Sequence, residues 1–354
     1  MVGIDARAAR AAWTVFLLAL LIATAYAIRR TLIVFAIAVF LAYMLTPLVN
    51  VVDRHLPKRI PRTVALAIVY LALIGALIGL GFTIGSRISD EAAQLAKELP
   101  GQAQNQISGP TKFKLPSWLE PVRERAAAWV QNENATGWKD MLPYVGAAGL
   151  RVFSGAQYVL YVVLIPILAF FFLKDGGAIR DGFVDAIVAP ARRKVADEIL
   201  SDVNNLLGKY IRALVLLALC TFIAYSLFMG ITGAPYALLL AGAAAMFEFI
   251  PVIGPLTAGV LIILVTFLAG YTHVLWFLIF WGVYRLFQDY VLSPNLMGAG
   301  VELNPMLVLF GVLAGEQIGG VAGMFFSVPV IATLRVIYVR LARTRRRRDA
   351  LVEA

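Results

Sequence analysis

An all-α integral membrane protein is the fold class that the sequence predicts, and two observations support it. Apolar residues make up 61% of the 354 residues and charged residues only 15%, whereas soluble proteins are about half apolar and about a quarter charged. The apolar residues form runs of about 17 to 25 residues, the length that a helix needs to cross a bilayer. We therefore expect a polytopic helical bundle with about eight crossings, including broken or re-entrant segments in the C-terminal half.

Residues 1–85 predict a transmembrane hairpin followed by a third span. Trp13–Ile28 and Leu32–Val49 are apolar runs that only a few residues separate, and Val64–Gly85 is a third run. Four Lys or Arg residues lie between positions 54 and 62. Because cytoplasmic loops carry an excess of basic residues, we expect this loop to face the cytoplasm.

Polar segments flank the predicted fourth span, which covers residues 146–173. Residues 86–145 have no net charge and place four apolar side chains at helical spacing, namely Ile88, Ala92, Leu95 and Leu99. They predict an extracytoplasmic helical domain. Residues 174–209 place apolar and acidic side chains on opposite helical faces. This pattern predicts a cytoplasmic amphipathic helix, either on the membrane surface or packed under the bundle.

Residues 210–340 form the predicted C-terminal transmembrane core, and residues 341–354 form a basic cytoplasmic tail. Seven arginines lie between Arg335 and Arg348. We interpret them as a topology anchor that can also contact anionic lipid. Binding to nucleic acid is not expected, because neither interleaved aromatic residues nor a folded basic domain accompanies the arginines. With both termini in the cytoplasm, the number of crossings must be even.

The stretch EFIPVIGP, from Glu248 to Pro255, interrupts one of the most apolar segments of the chain. A carboxylate in hydrocarbon costs about 3 kcal/mol or more, and Pro251 lacks a hydrogen-bond donor that the helix needs. Gly254 permits backbone conformations that other residues avoid. Since irregular backbone persists at membrane depth only where it lines protein or water, these four residues predict a polar cavity or pore wall. There Glu248 could bind a cation or a proton; alternatively, it marks the cytoplasmic end of a short span and contacts headgroups.

Three polar residues near position 288 are candidates for the same pathway. Arg285 and Asp289 are four residues apart, so they share one helix face and can form an ion pair. The pair could lie inside the bundle or at the membrane interface. Gln288 neighbours both residues and could line the same path.

A second intramembrane carboxylate, Glu316, lies within a regular series of glycines. The glycines recur every four residues, at Gly311, Gly315, Gly319 and Gly323. This spacing predicts one smooth groove along a single helix, where another helix can pack closely. Glu316 is a proton-relay candidate, although it could equally pair with a neighbouring helix or subunit.

Three motifs in the C-terminal half resemble those of a known family. FEFIPVIGPLTAG (247–259), QDYVLSPNLMG (288–298) and GGVAGMFFSVPVIATL (319–334) are similar to segments of the autoinducer-2 exporter family, also described as PerM-like permeases. The resemblance covers most of the chain. One departure is Asp289, at a position where members usually have Glu or a similar residue.

The resemblance implies a homo-oligomeric, multi-pass protein of the bacterial inner membrane. It also implies either export of a small solute such as autoinducer-2 or exchange of sodium or lithium for protons. An oligomeric passive channel and a non-transporting membrane scaffold are the alternatives.

The motifs that the sequence lacks narrow the mechanism further. It contains no Gly-x4-Gly-Lys-Ser/Thr loop, no Gly-x-Ser-x-Gly and no HExxH, so ATP-driven transport and intramembrane hydrolysis have no support. The one cysteine and the two histidines lack further ligands at metal-binding spacing. We therefore expect no enzyme activity, no cofactor and no metal, and we expect any uphill transport to use an ion gradient.

Overall fold

The computed structural model describes residues 6–57, 59–108, 156–297 and 303–352. Within these ranges the chain is almost entirely helical and contains no strand. The described helices are α1 (Ala6–Ala27), α2 (Arg29–His55), α3 (Arg62–Ser108), α4 (Ala156–Asp185), α5 (Pro190–Ile231), α6 (Ala237–Phe247), α7 (Ile253–Leu268), α8 (Val274–Phe287), α9 (Ser293–Met297) and α10 (Pro305–Val352). A π-helical turn, Gln288–Leu292, joins α8 to α9.

Five of these helices, α2, α3, α4, α5 and α10, are long and apolar enough to cross a membrane, judged by length and composition alone; α10 is interrupted at Gly320. The helices α1, α6 and α7 contribute shorter apolar segments, and α8 is apolar over 14 residues. The predicted all-α polytopic fold is therefore confirmed. Its interrupted segments lie in the C-terminal half, as the prolines and glycines there predicted.

Helix α3 extends beyond the boundary that hydropathy suggested for the third span. Helix α3 continues from the third apolar run as far as Ser108, and its extension buries Ala92, Leu95 and Leu99. Leu95 and Leu99 belong to the same buried cluster as Leu240 of α6. The extension therefore packs on the C-terminal core. The rest of the domain predicted at 86–145 lies outside the described residues.

The acidic face of the segment predicted at 174–209 contacts another helix. Residues 190–209 form the first half of α5 without a break before the span. Arg340 of α10 donates hydrogen bonds to Glu198 at 3.1 Å and to Asp202 at 2.6 Å. This end of α5 is thus joined to α10.

Helices α6 and α7 form a helical hairpin that cannot cross a bilayer with either limb. They contain 11 and 16 residues, which correspond to about 16 Å and about 24 Å, compared with a hydrocarbon core of about 30 Å. The two limbs pack against each other. Glu248 and Pro251 lie in the turn between them. We refer to this pair as the first hairpin.

Helix α10 also folds back on itself, at Gly320. The backbone of Gly320 is non-helical, with φ 60° and ψ −141°, a region that favours glycine. Gly315 and Gly323 would be about 12 Å apart in a straight helix, yet their backbones touch, and Gly311 lies against Ile331. We refer to the two limbs, 305–319 and 321–352, as the second hairpin.

The fold-back at Gly320 corrects one prediction about the glycine series. The single groove along one helix is wrong, because Gly311, Gly315 and Gly319 lie on one limb and Gly323 on the other. Spacing alone assumes a straight helix, and the conformation of Gly320 removes that assumption. Gly319 faces Ile33 of α2 instead.

A carboxylate from α3 caps the start of the first hairpin, which allows a stability test. Oε2 of Glu91 accepts a hydrogen bond from the backbone N–H of Leu239 at 2.8 Å, in the first turn of α6. Helix N-termini leave such donors without intrahelical partners. We expect Glu91→Ala to lower the free energy of unfolding by about 1 kcal/mol. The N–H of Leu239 would lose its acceptor, and the N-terminus of α6 would lose the nearby negative charge that its helix dipole favours.

Unfolding by SDS in mixed micelles, followed by circular dichroism, would measure this loss. Asp90→Ala is the matched control, since it removes an exposed carboxylate from the neighbouring position of α3. Equal losses in the two variants would contradict the capping role of Glu91.

Candidate functional site

The turn between α6 and α7 leaves Glu248 buried and forms hydrogen bonds between its own backbone groups. Pro251 has no N–H to donate to the carbonyl of Phe247, and this carbonyl accepts the N–H of Ile250 instead, at 2.9 Å. Val252 adopts a positive φ of 65°, and a Cβ at Gly254 would overlap the Phe247 carbonyl. Such a tight turn needs glycine at that position. It leaves only 8% of Glu248 exposed.

Both carboxylate oxygens of Glu248 accept hydrogen bonds from side chains of other elements. Gln288 Nε2 donates to Oε2 at 2.7 Å, and Thr221 Oγ1 donates to Oε1 at 3.3 Å. Thr221 Oγ1 also lies 3.0 Å from the hydroxyl of Tyr284. Because Thr221 and Gln288 are 1% and 2% exposed, they supply partners that water cannot supply there.

The other end of this polar chain is accessible. Arg285 Nη1 donates to Oε1 of Gln288 at 3.4 Å, and Arg285 Nη2 lies 2.9 Å from Oδ1 of Asp289. The side chains of Arg285 and Asp289 are 30% and 46% exposed. The chain of contacts therefore leads from the buried hydroxyl of Tyr284, through Glu248, to an exposed ion pair.

A π-helical turn begins at the last buried residue of this segment, Gln288. A wider turn of this kind shifts the side chains that follow it relative to a regular helix, and such turns are frequent at functional sites. Gln288, four residues after the buried Tyr284, lies on the same inward face, and the turn displaces the residues after it, of which Asp289 and Tyr290 are exposed.

The structure brings together four of the predicted pathway residues, Glu248, Arg285, Gln288 and Asp289. Pro251, Gly254 and Pro255 form the turn and the first residues of α7 beside them. Glu316 is exposed on the first limb of the second hairpin and is not a member of the polar chain. Glu248 is buried within the chain, at 8% exposure; its position at the cytoplasmic end of a short span stays an alternative.

Sequence reasoning missed Thr221 and Tyr284. Thr221 lies in a largely apolar part of α5 and Tyr284 directly precedes Arg285 in α8, and neither belongs to a recognisable motif. The available signal was a hydroxyl within an apolar segment, since hydroxyls buried in a membrane segment need partners. Both contacts join different elements: Thr221 reaches Glu248 across 27 positions of the chain, and Tyr284 reaches Thr221 across 63.

Hydrogen bonds and one nearby guanidinium explain how the bundle tolerates this carboxylate. Glu248 and Asp289 are acidic and Arg285 is basic; the guanidinium contacts Asp289 directly and reaches Glu248 through the amide of Gln288. Buried charges persist when they are paired and hydrogen-bonded. Among the described residues, no group of three or more His, Cys, Asp or Glu side chains could hold a metal ion.

Comparison with known proteins identifies the family. A family model described as AI-2E family transporter matches residues 15–343. YrrI of Bacillus subtilis, provisionally named a transport protein, is 28% identical over 189 residues, which are 53% of this chain and 53% of YrrI.

Two further relatives show similar coverage. MT0215 of Mycobacterium tuberculosis, also provisionally named a transport protein, is 32% identical over 179 residues, or 50% of this chain and 48% of the relative. PerM of Escherichia coli, provisionally named a permease, is 27% identical over 189 residues, or 50% of each chain. This chain thus spans about half the length of these curated relatives. Since the family model covers nearly the whole chain, the protein belongs to the AI-2E transporter family.

Proposed function

We propose that this protein is a gradient-driven secondary transporter in which Glu248 binds the coupling ion. The transported species is a small solute that is exported, or sodium or lithium that is exchanged for protons. The observation that supports this function is the buried carboxylate of Glu248 at a helix break, joined to an exposed ion pair by hydrogen-bonded side chains.

Two features of the site favour a carrier. Ionisable residues inside membrane segments are costly, and they commonly mark ion pathways or proton relays. Broken helices near the bilayer midplane form the binding sites of many secondary transporters. Glu248 combines both features, since its carboxylate lies at the turn of the first hairpin.

The proposed setting is the bacterial inner membrane, with both termini in the cytoplasm and the chain assembled as a homo-oligomer. The basic residues after α2 and at the end of α10 support this orientation, since positive charge accumulates on cytoplasmic flanks. The large apolar side chains exposed on α1, α3 and α8 support contact with lipid or with further copies of the chain.

Everted membrane vesicles provide the direct test. Respiration builds an inside-acid pH gradient, sodium or lithium is added, and an acridine dye reports collapse of the gradient. We expect the gradient to collapse in vesicles with the intact protein. Vesicles with Glu248→Gln should respond like vesicles that lack the protein, since an amide cannot exchange a proton. Asp90→Asn, which alters an exposed carboxylate on α3, should respond like the intact protein.

The alternatives give different results in the same vesicles. No response from well-expressed intact protein would contradict cation exchange, and flux of labelled autoinducer-2 would then test solute export. Flux that does not saturate and ignores the gradient would indicate a passive channel. A scaffold would show no flux of either kind and no difference between the intact protein and Glu248→Gln.

A further inference from the structure

The side-chain amide of Gln288 lies between two groups of opposite hydrogen-bonding character. Its Nε2 donates to Glu248 at 2.7 Å, and its Oε1 accepts from Arg285 at 3.4 Å. An ionised carboxylate can only accept hydrogen bonds, and a guanidinium can only donate them. The chemistry of the two partners therefore dictates which way the amide faces whenever Glu248 is ionised.

Both side-chain hydrogen bonds of Glu248 are donated to its carboxylate by other residues. Thr221 donates to one oxygen and Gln288 to the other. Among the described residues, the charged groups near Glu248 are Arg285 and Asp289, which follow Gln288 in the chain of contacts, and the titratable hydroxyls near it are those of Tyr225 and Tyr284. The structure thus corresponds to the ionised form of Glu248, with the single guanidinium shared between Asp289 and the amide oxygen.

Protonation of Glu248 reverses the requirement on the amide. A proton from water, added to Oε2, converts the carboxylate into a carboxylic acid whose O–H must find an acceptor. The nearest partner is Gln288, at 2.7 Å, compared with 3.3 Å for Thr221 on the other oxygen. To accept, the amide must turn its oxygen toward Glu248, and its NH₂ group then faces the donors of Arg285.

We propose that Gln288 is a positioning residue that transmits the protonation state of Glu248 to the Arg285–Asp289 ion pair. Inversion of the amide turns Oε1 of Gln288 away from Arg285, so the guanidinium loses that acceptor and is hydrogen-bonded to Asp289 alone. The ion pair, at the exposed end of the chain, then rearranges whenever the buried carboxylate gains or loses a proton. This inference rests on the proposed function only in that Glu248 exchanges a proton.

Two spectroscopic readouts on the purified full-length protein in lipid nanodiscs test the proposal without any transported solute. The native cysteine is first removed as Cys220→Ala. Tyr290→Cys, at a position 78% exposed beside Asp289, then carries an environment-sensitive fluorophore. Infrared difference spectroscopy follows the carboxylic-acid C=O band, which is assigned to Glu248 by its loss in Glu248→Gln. Both signals are recorded as pH is varied.

We expect the band and the fluorescence to titrate together in the parent protein. In Gln288→Met, which keeps the length of the side chain but has no amide, the band should still titrate while the fluorescence response is lost. Thr221→Val removes the other hydrogen bond of Glu248, so it should shift the band and the fluorescence together and keep the two responses coupled. A fluorescence response that persists in Gln288→Met, or one that Thr221→Val also uncouples from the band, would overturn the role assigned to the amide.

The two readouts also separate this inference from the proposed function. If vesicles show no ion- or solute-coupled flux although the band and the fluorescence titrate together, the transport proposal fails and the amide coupling stands. If the Glu248 band does not titrate in the parent protein, the coupling inference is overturned whatever the flux result.

Discussion

Replacing Gly323 with alanine is expected to lower the free energy of unfolding by about 3 kcal/mol. A Cβ at Gly323 would fall on the carbonyl of Gly315, and a Cβ at Gly315 would fall on the carbonyl of Gly323. Both obstacles are backbone atoms, which cannot rotate away as a flexible side chain can. The limbs of the second hairpin would have to separate, and their remaining contacts would loosen.

Gly282→Ala is the matched control for this expectation. Gly282 lies inside α8, and a Cβ there would meet no atom within 4 Å. Alanine is favoured over glycine in a helix interior by about 0.5 to 1 kcal/mol, so this variant should be slightly more stable than the parent. SDS unfolding of the parent, Gly323→Ala and Gly282→Ala would measure these changes. If both substitutions changed the free energy of unfolding in the same direction, the packing of the second hairpin would be contradicted.

Gly254→Ala should be comparably damaging, and it should also abolish transport. A Cβ at Gly254 would overlap the carbonyl of Phe247, which already accepts the N–H of Ile250. Relief of this overlap opens the turn that holds Glu248 against Gln288 and Thr221. We expect a loss of about 3 kcal/mol in unfolding free energy, with gradient collapse in vesicles reduced to the level of Glu248→Gln.

The control for this second variant lies in the same hairpin. A Cβ at Gly242 of α6 would be 3.7 Å from Ile88 Cδ1, an ordinary van der Waals distance. Gly242→Ala should therefore retain both stability and flux. If Gly254→Ala kept full flux while it lost stability, the turn geometry would not be what positions Glu248, and the site proposed here would be contradicted.

The site residues that the sequence predicts are those whose type conflicts with the apolar segment around them or whose spacing places them on one helix face. A carboxylate and two prolines within an apolar run signal a break from within one segment, so Glu248, Pro251 and Gly254 could be chosen without a structure. Arg285 and Asp289 were recognisable because a spacing of four residues puts them on one helix face. Thr221 and Tyr284 carry no such signal, because their polar partner lies on another element.

The glycine series shows where sequence spacing misleads. Gly311, Gly315, Gly319 and Gly323 have the periodicity of one helix face, and that prediction assumed a continuous helix. Gly320 adopts a positive φ, and one non-helical residue converts the stripe into two facing limbs. Glycine permits this conformation but does not require it, so only the packed structure distinguishes the two outcomes.

The sequence by itself determined that this chain is a helical membrane protein with interrupted segments in its C-terminal half. Run length and charge placement are sufficient for that, because a bilayer imposes a minimum apolar length and leaves few alternatives to helices. Tertiary structure alone decided that the interruptions are hairpins, and that Glu248 is bonded to Thr221 and Gln288. Contacts between distant segments depend on how helices pack around one another, and the periodicity of a single helix does not encode its neighbours.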